Sequence, residues 1–193
     1  IRNVSPGRRP RRITSYALAL LVTALGTVGL TGGAVAAPNE YEVKAAFLYK
    51  FLGYIEFPAS AFAEPASPVV IGVVNADDLA AELARIVNGR TVMGRPVQVK
   101  VLKETDAPAN VHLLFIGGAD SSRARAMLRL AKDSPMLVVT EADDGLASGS
   151  VINFKIVDER VRFDVSLEAA DKNSVKLSSR LLTVANQVHK GAP

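Results

Sequence analysis

The order of apolar runs predicts an α/β domain: a mixed, mainly parallel sheet with helices on both faces and a C-terminal antiparallel hairpin. Three observations carry this. Val69–Val74, Val111–Ile116 and Met136–Thr140 are short and almost wholly apolar, as strands buried on both faces must be. Amphipathic helical segments alternate with the strands, supplying the crossovers that parallel pairing needs. Val151–Val157 and Val161–Leu167 are joined by Asp158-Glu159-Arg160 alone, a link too short to cross over, so this last pair is antiparallel.

Element by element, Glu40–Ile55 reads as a helix. Phe47, Leu48, Phe51, Leu52 and Ile55 fall at i, i+1, i+4, i+5 and i+8, one wide apolar stripe. Tyr41, Phe47, Tyr49, Phe51, Tyr54 and Phe57 gather six of the chain's eleven aromatic residues in this helix and its exit. Two readings fit: packing against the sheet, or a protein contact surface, since aromatics supply large contact area at low entropic cost. Tyr49 falls off the stripe, about 100° from Leu48 and about 200° from Phe47. Tyr49, Tyr54 and Phe57 are therefore the candidate partner-binding residues.

Pro58, Pro65 and Pro68 make Pro58–Pro68 the one linker-like stretch. Val69–Val74 is the first strand. Asp77–Val87 follows as a helix on Leu79, Leu83, Ile86 and Val87, stopped by Asn88-Gly89. Val97, Val99 and Val101 alternate with Gln98 and Lys100, which places that strand near an edge or under thin cover. Val111–Ile116 leads through Gly117-Gly118 into a helix over Asp120–Ala131, with Asp120 or Ser121 as its cap. Met136–Thr140 is followed by the acidic, glycine-bearing loop Glu141–Ser150. After the hairpin, a last helix is expected over Ser178–His189, with Leu181, Leu182, Ala185 and Val188 on one face.

The first 36 residues read as a leader. Arg8, Arg9, Arg11 and Arg12 precede an apolar stretch from Tyr16 to Leu30, and Ala34-Val35-Ala36 is a small-x-small cleavage site. An uncleaved N-terminal anchor is the competing reading, because Ile13–Leu30 approaches spanning length; Thr23, Gly26, Thr27 and Gly29 dilute it. Arg11-Arg12 raises the twin-arginine route, but no Phe-Leu pair follows, which favours general secretion. The expected division is a secretory signal over 1–36 and an exported, periplasmic domain over 37–193. The chain's formal net charge is +4, but Arg2, Arg8, Arg9, Arg11 and Arg12 all lie in the leader. Of 23 basic residues 18 remain, against 19 acidic ones. No basic stripe survives to neutralise a run of phosphates, so no nucleic-acid partner is expected.

The chain has no cysteine, which excludes disulfides, thiol nucleophiles and thiolate metal sites. His112 and His189 are the only histidines, and no group with metal-ligand spacing accompanies them. Neither a metal nor a cofactor is expected. Ligands in such sheets bind beyond the carboxyl ends of the strands, where Asn75, Gly117, Gly118 and Glu141 stand as candidate ligand-binding residues. Gly117-Gly118 beside a helix start offers backbone N–H groups to an anion, yet lacks the dinucleotide and phosphate-loop fingerprints. The competing reading is a turn with capping side chains. Ser121-Ser122 follows a strand without a Gly-x-Ser-x-Gly elbow, and His112 sits inside an apolar run. With no catalytic constellation, the expectation is a protein that is not an enzyme.

Four blocks together resemble the YfiR family of periplasmic regulators. The first is Val43-Lys44-Ala45-Ala46-Phe47-Leu48-Tyr49-Lys50-Phe51, closed by Ile55-Glu56-Phe57-Pro58; the family has Asn at the Lys50 position and often Trp at the Phe57 position. The second is Ile71-Gly72-Val73, and the third is Val111-His112-Leu113-Leu114-Phe115-Ile116. The fourth runs from Ile152-Asn153-Phe154 through Arg160-Val161-Arg162-Phe163-Asp164-Val165-Ser166-Leu167-Glu168-Ala169-Ala170 to Leu177-Ser178-Ser179-Arg180-Leu181-Leu182. The resemblance implies a periplasmic protein that binds the periplasmic sensor domain of a membrane-bound diguanylate cyclase and represses it. That lowers cyclic di-GMP signalling and biofilm formation. An outer-membrane lipoprotein would draw the regulator away, and a homodimer is implied. Val111 stands where many relatives carry Cys, so thiol-based redox sensing is not available to this chain. A periplasmic small-ligand-binding module is the alternative reading.

Overall fold

In the computed structural model residues 39–131 and 134–191 are described; the expected leader and its cleavage site lie outside them. Helix α1 (Glu40–Phe51) opens on Asn39, whose side chain accepts the Glu42 N–H at 2.9 Å. Glu40 and Glu42 in the first turn and Lys50 in the last suit the helix dipole. Ala45, Leu48 and Phe51 are buried on its inner face. The helix ends four residues before the expected Ile55. Leu52–Tyr54 tightens into a single 3-10 turn around Gly53, and β1 (Ile55–Glu56) leaves in extended form. Glycine disfavours helix, and Ile55 is buried as a strand residue paired with Leu177.

The sheet is built from β2 (Val69–Val74), β3 (Thr91–Val92), β4 (Arg95–Leu102), β5 (Leu113–Ile116), β6 (Leu137–Thr140), β7 (Ile152–Val157), β8 (Arg160–Ser166) and β10 (Gln187–His189). Their spatial order is β10-β8-β7-β6-β5-β2-β4-β3. All neighbours are parallel except β7 with β8 and β3 with β4. Helix α2 (Asp77–Val87) joins α1 on one face, against Val69, Ile71, Val73, Leu113, Phe115, Leu137 and Val139. Helix α3 (Ser121–Ala131) covers Val74, Leu114, Ile116 and Val138 on the other, through Met127 and Ala131. Period-two alternation along each strand feeds both cores, and the mixed, mainly parallel architecture with helices on both faces is the one expected. β4 lies one strand from the edge, and its Val101 is 56% exposed.

The β7–β8 hairpin turns on two residues, Asp158 (φ 49°) and Glu159 (φ 58°), with Val157 opposite Arg160. Two consecutive left-handed residues match the twist of the flanking strands. A second such turn, Met93 (φ 54°) and Gly94 (φ 74°), makes the unforeseen β3–β4 hairpin.

The C-terminal expectation is corrected. After α4 (Leu167–Lys172), β9 (Lys176–Leu177) pairs antiparallel with β1. The helix expected over Ser178–His189 is α5 (Ser179–Val184), and β10 follows as an edge strand parallel to β8. Ala185 turns extended (ψ 147°) and Asn186 hooks the chain to β8: its N–H donates to the Phe163 carbonyl (2.8 Å) and its Nδ2 to Asp164 Oδ1 (2.7 Å). Asp164 is fully buried and ion-paired with Lys155 at 2.8 Å. Val188 therefore lies on the sheet edge, 37% exposed, and not on a helix face.

Four phenylalanines join α1 to the hairpin. Phe51 lies 5.0 Å from Phe163 and 5.9 Å from Phe154, and Phe47 lies 5.6 Å from Phe163. Truncating Phe51 removes the centre of this cluster, and Phe51→Ala is expected to cost about 3–5 kcal/mol in urea unfolding. Val184, 63% exposed, is the control: Val184→Ala should stay within about 0.5 kcal/mol of the parent.

Candidate functional site

The chain passes from β2 through α2 to β4 on one side, then returns to β5 on the other, so the topological switch lies beyond the carboxyl ends of β2 and β5. Asn75, Gly117, Gly118 and Glu141 converge there. Asn75 is left-handed (φ 62°), and its carbonyl would lie 2.7 Å from a Cβ at Gly117. Only glycine allows that approach. Gly118 (φ 92°) donates its N–H to Glu141 Oε1 at 2.5 Å. Asp120 Oδ1 accepts the Ser122 N–H at 2.8 Å, so the acidic residue after the glycines caps α3.

The crevice already contains a negative group. Glu141 Oε2 is ion-paired with Lys44 of α1, which also pairs with Glu40. Lys44 is 4% exposed, its Nζ 5.7 Å from the centre of the Tyr41 ring and 6.0 Å from that of Phe154. Burial alone would lower its pKa, but the hydrogen bonds and charges of Glu141 and Glu40 outweigh burial and raise it. The Glu141 carboxylate thus takes both the backbone donor and the cation that an anionic ligand would use. Sequence reasoning passed over Lys44. Its signal was its place four residues before Leu48, a cation on the apolar stripe.

Behind Glu141 a buried polar group shapes the loop. Thr140 Oγ1 donates to Asn153 Oδ1 (2.7 Å) and shares a hydrogen bond with Ser150 Oγ (2.9 Å), while Asn153 Nδ2 donates to the Ala142 carbonyl (3.0 Å). A Cβ at Gly145 would collide with Thr140 and Asn153, which fixes glycine there.

The three aromatics expected to bind a partner have different surroundings. Tyr49 is half-buried on the core, with the Arg90 guanidinium 5.2 Å from its ring centre; lying off the stripe did not exclude it from packing, because α2 supplies a second wall. Tyr54 is 38% exposed. Phe57 turns inward, edge-on to Phe62 and to His112.

At the amino-terminal end of the sheet, His112 is buried and stacks on Phe62 with centroids 4.4 Å apart. Its Nδ1 accepts the Val70 N–H at 3.1 Å. Burial lowers its pKa, with repulsion from Arg95 adding to the effect against a backbone contact at Ala61. The ring is held neutral, and its acceptor nitrogen is committed to the backbone. Elsewhere, a cleft of about 540 Å³ opens between α3 and α4, floored by Leu128, Val138 and Leu146 and rimmed by Arg125, Arg129 and Lys172. Among the described residues no group of carboxylates and histidines is placed to hold a metal ion, and no helix is long and apolar enough to cross a membrane.

The profile of a protein family described as YfiR/HmsC-like matches residues 41–186. No curated protein sequence matches the chain. Among solved structures, the crystal structure of a conserved domain protein from Vibrio cholerae O1 biovar El Tor is similar at 12% identity, with a TM-score of 0.53 over 77% of this chain. The chain spans 60% of the length of that protein, and the likeness is one of fold.

Two outcomes follow from the crevice. Glu141→Gln leaves Lys44 buried with the half-exposed Glu40 as its carboxylate, and a loss on the order of 2 kcal/mol is expected in thermal or urea unfolding, short of the 3–5 for a wholly orphaned charge. The folded Lys44 pKa exceeds its ordinary 10.5, so the pair's contribution is complete below that value and lost as pH rises past the raised one. The stability gap between parent and variant should therefore be full at neutral pH and narrow as pH rises past the raised value. Gly117→Ala, which meets backbone, should cost about 1–3 kcal/mol, whereas Gly53→Ala, with open space around it, should be neutral or slightly stabilising.

Proposed function

The chain belongs to the YfiR/HmsC-like family, and from that premise we propose that it is a periplasmic regulator that binds the sensor domain of an inner-membrane diguanylate cyclase and holds it inactive. The observation that carries this reading is the family match over residues 41–186, nearly the whole described fold. The chemistry of the crevice supports it. Glu141, the carboxylate best placed for acid–base work, is tied to Lys44 and Gly118, and His112 has its acceptor nitrogen on Val70. A group so engaged is a poor base or nucleophile. Recognition then falls to surface shape, with Tyr54 as the most exposed of the proposed contact residues and Tyr49 and Phe57 behind it. In this scheme an outer-membrane lipoprotein competes for the regulator, which acts as a homodimer. With no cysteine in the chain, the regulation is independent of thiol oxidation.

A second reading, a small-ligand-binding module, draws on the cleft between α3 and α4; in the crevice first expected to bind a ligand, Glu141 engages Lys44 and Gly118.

Deleting the gene should raise cyclic di-GMP and surface attachment under conditions where the protein is made; unchanged nucleotide levels would remove the cyclase role. In a purified pair, Tyr54→Ala should weaken binding on the order of thirtyfold, corresponding to about 2 kcal/mol for a hot-spot aromatic, with little change in melting temperature. Tyr49→Ala should lower both, because its ring also packs on the core.

A further inference from the structure

The amino-terminal end of the sheet carries a latch with a titratable centre. Before β5 begins at Leu113, the His112 side chain does the work of a backbone acceptor. Its Nδ1 takes the Val70 N–H (3.1 Å), while the His112 N–H donates to the Val70 carbonyl (2.9 Å). The imidazole thus adds one rung to the β2–β5 ladder. Its outer face is covered by the segment 57–68: Phe62 stacks on it at 4.4 Å and 26°, and Phe57 meets it edge-on at 5.8 Å. Arg95 of β4 closes the arrangement. Its guanidinium lies 3.9 Å from the Phe62 ring centre, and Nη1 donates to the carbonyls of Ser67 (2.7 Å) and Glu64 (3.1 Å).

We propose that His112 is an acid-sensitive latch: while neutral it holds the segment 57–68 against the sheet, and its protonation releases that segment. Three features of the geometry require this. A proton on Nδ1 removes the lone pair that accepts the Val70 N–H, so donor would face donor. Nε2 is buried and makes no hydrogen bond, and the one group that favours the charged ring, the Ala61 backbone, is outweighed by burial, so the new charge is left under-compensated. The charged group facing His112 across Phe62 is Arg95, of the same sign. The covering segment offers Phe57, Ala61 and Phe62, and its acidic residue Glu64 is exposed and gives the clamp only its carbonyl; β2 offers only a backbone donor. The imidazolium is relieved by moving into water, which requires the segment to lift. Phe57 is uncovered by the same movement. A consequence for partner binding would rest on the reading in the preceding subsection, whereas the latch itself does not.

The test is amide hydrogen exchange on the full chain between pH 7.5 and 5, corrected for intrinsic rates, with His112 titration followed by NMR. An open state with an ordinary imidazole near pH 6.5 makes opening about tenfold more frequent per pH unit below that value, down to the folded-state pKa. Protection of Val70 and of residues 57–68 should fall on that schedule, while amides of β5 and β6 keep theirs. His112→Gln, whose side-chain carbonyl can still accept from Val70, should abolish the pH dependence; His189→Gln should retain it. Unchanged protection of 57–70 in the parent, or the same acid loosening in His112→Gln, overturns the proposal. If His112→Gln does not fold, the NMR titration decides. An imidazole titrating at or above 6.5 overturns the latch, and one titrating below it supports the latch.

Discussion

A buried lysine constrains the fold more than any other single group. Removing an ammonium from water costs several kcal/mol unless carboxylates meet it in good geometry, and Lys44 is 4% exposed. Glu40, one helical turn away, is half-exposed and leaves the inner side of the charge uncovered. Glu141 covers that side, and it comes from the loop after β6, 97 positions along the chain. Once Lys44 and Glu141 are joined, the first turns of α1 are tied to the carboxyl end of β6. Phe47 and Phe51 are then aimed at Phe154 and Phe163. The ion pair ties position, and the ring cluster packs together with Ala45, Leu48 and Leu52.

This division explains what was legible in the sequence. Hydrophobic period is a local signal, and Val69–Val74, Asp77–Val87 and the β7–β8 hairpin were readable from it because their partners in the fold reinforce the local pattern. The C-terminal segment was not. Leu181, Leu182, Ala185 and Val188 have helical spacing, but Asn186 meets a buried Asp164 on a strand 22 positions earlier, and that long-range contact overrides the local period. The early stop of α1 has the same origin, since Ile55 is drawn into a strand by Leu177. Of the site, the convergence of Asn75, Gly117, Gly118 and Glu141 followed from topology alone. That Glu141 would engage Lys44 there did not, because nothing local distinguishes Lys44 from a solvated helix lysine except the stripe it sits on.

The two ends of the sheet solve their polar problems in opposite ways. At the carboxyl ends a charge is buried and matched by charge, an arrangement insensitive to pH until the carboxylates protonate or the ammonium loses its proton. At the amino ends a neutral imidazole substitutes for a backbone carbonyl and is walled by aromatic rings. That arrangement is stable only while the ring stays neutral. The contrast lies in the residues and not in the topology: either end of a parallel sheet can be closed by backbone groups alone.

The engagement of so much potential chemistry within the fold bears on how this chain could act. Glu141, His112, Asp120, Asn153 and Asp164 carry groups capable of polar chemistry, and each is engaged in holding a turn, a cap or a strand end. Tyr41, Tyr54, Val184 and Val188 remain exposed. Under the proposed function, a surface of this kind discriminates between partners by shape and by the edges it presents. Its affinity is therefore set by what positions those edges. Tyr54 follows α1 through one 3-10 turn, so the ion pair that fixes α1 also fixes Tyr54. A charge buried for the sake of the fold is in this way coupled to the surface through which the protein is proposed to act.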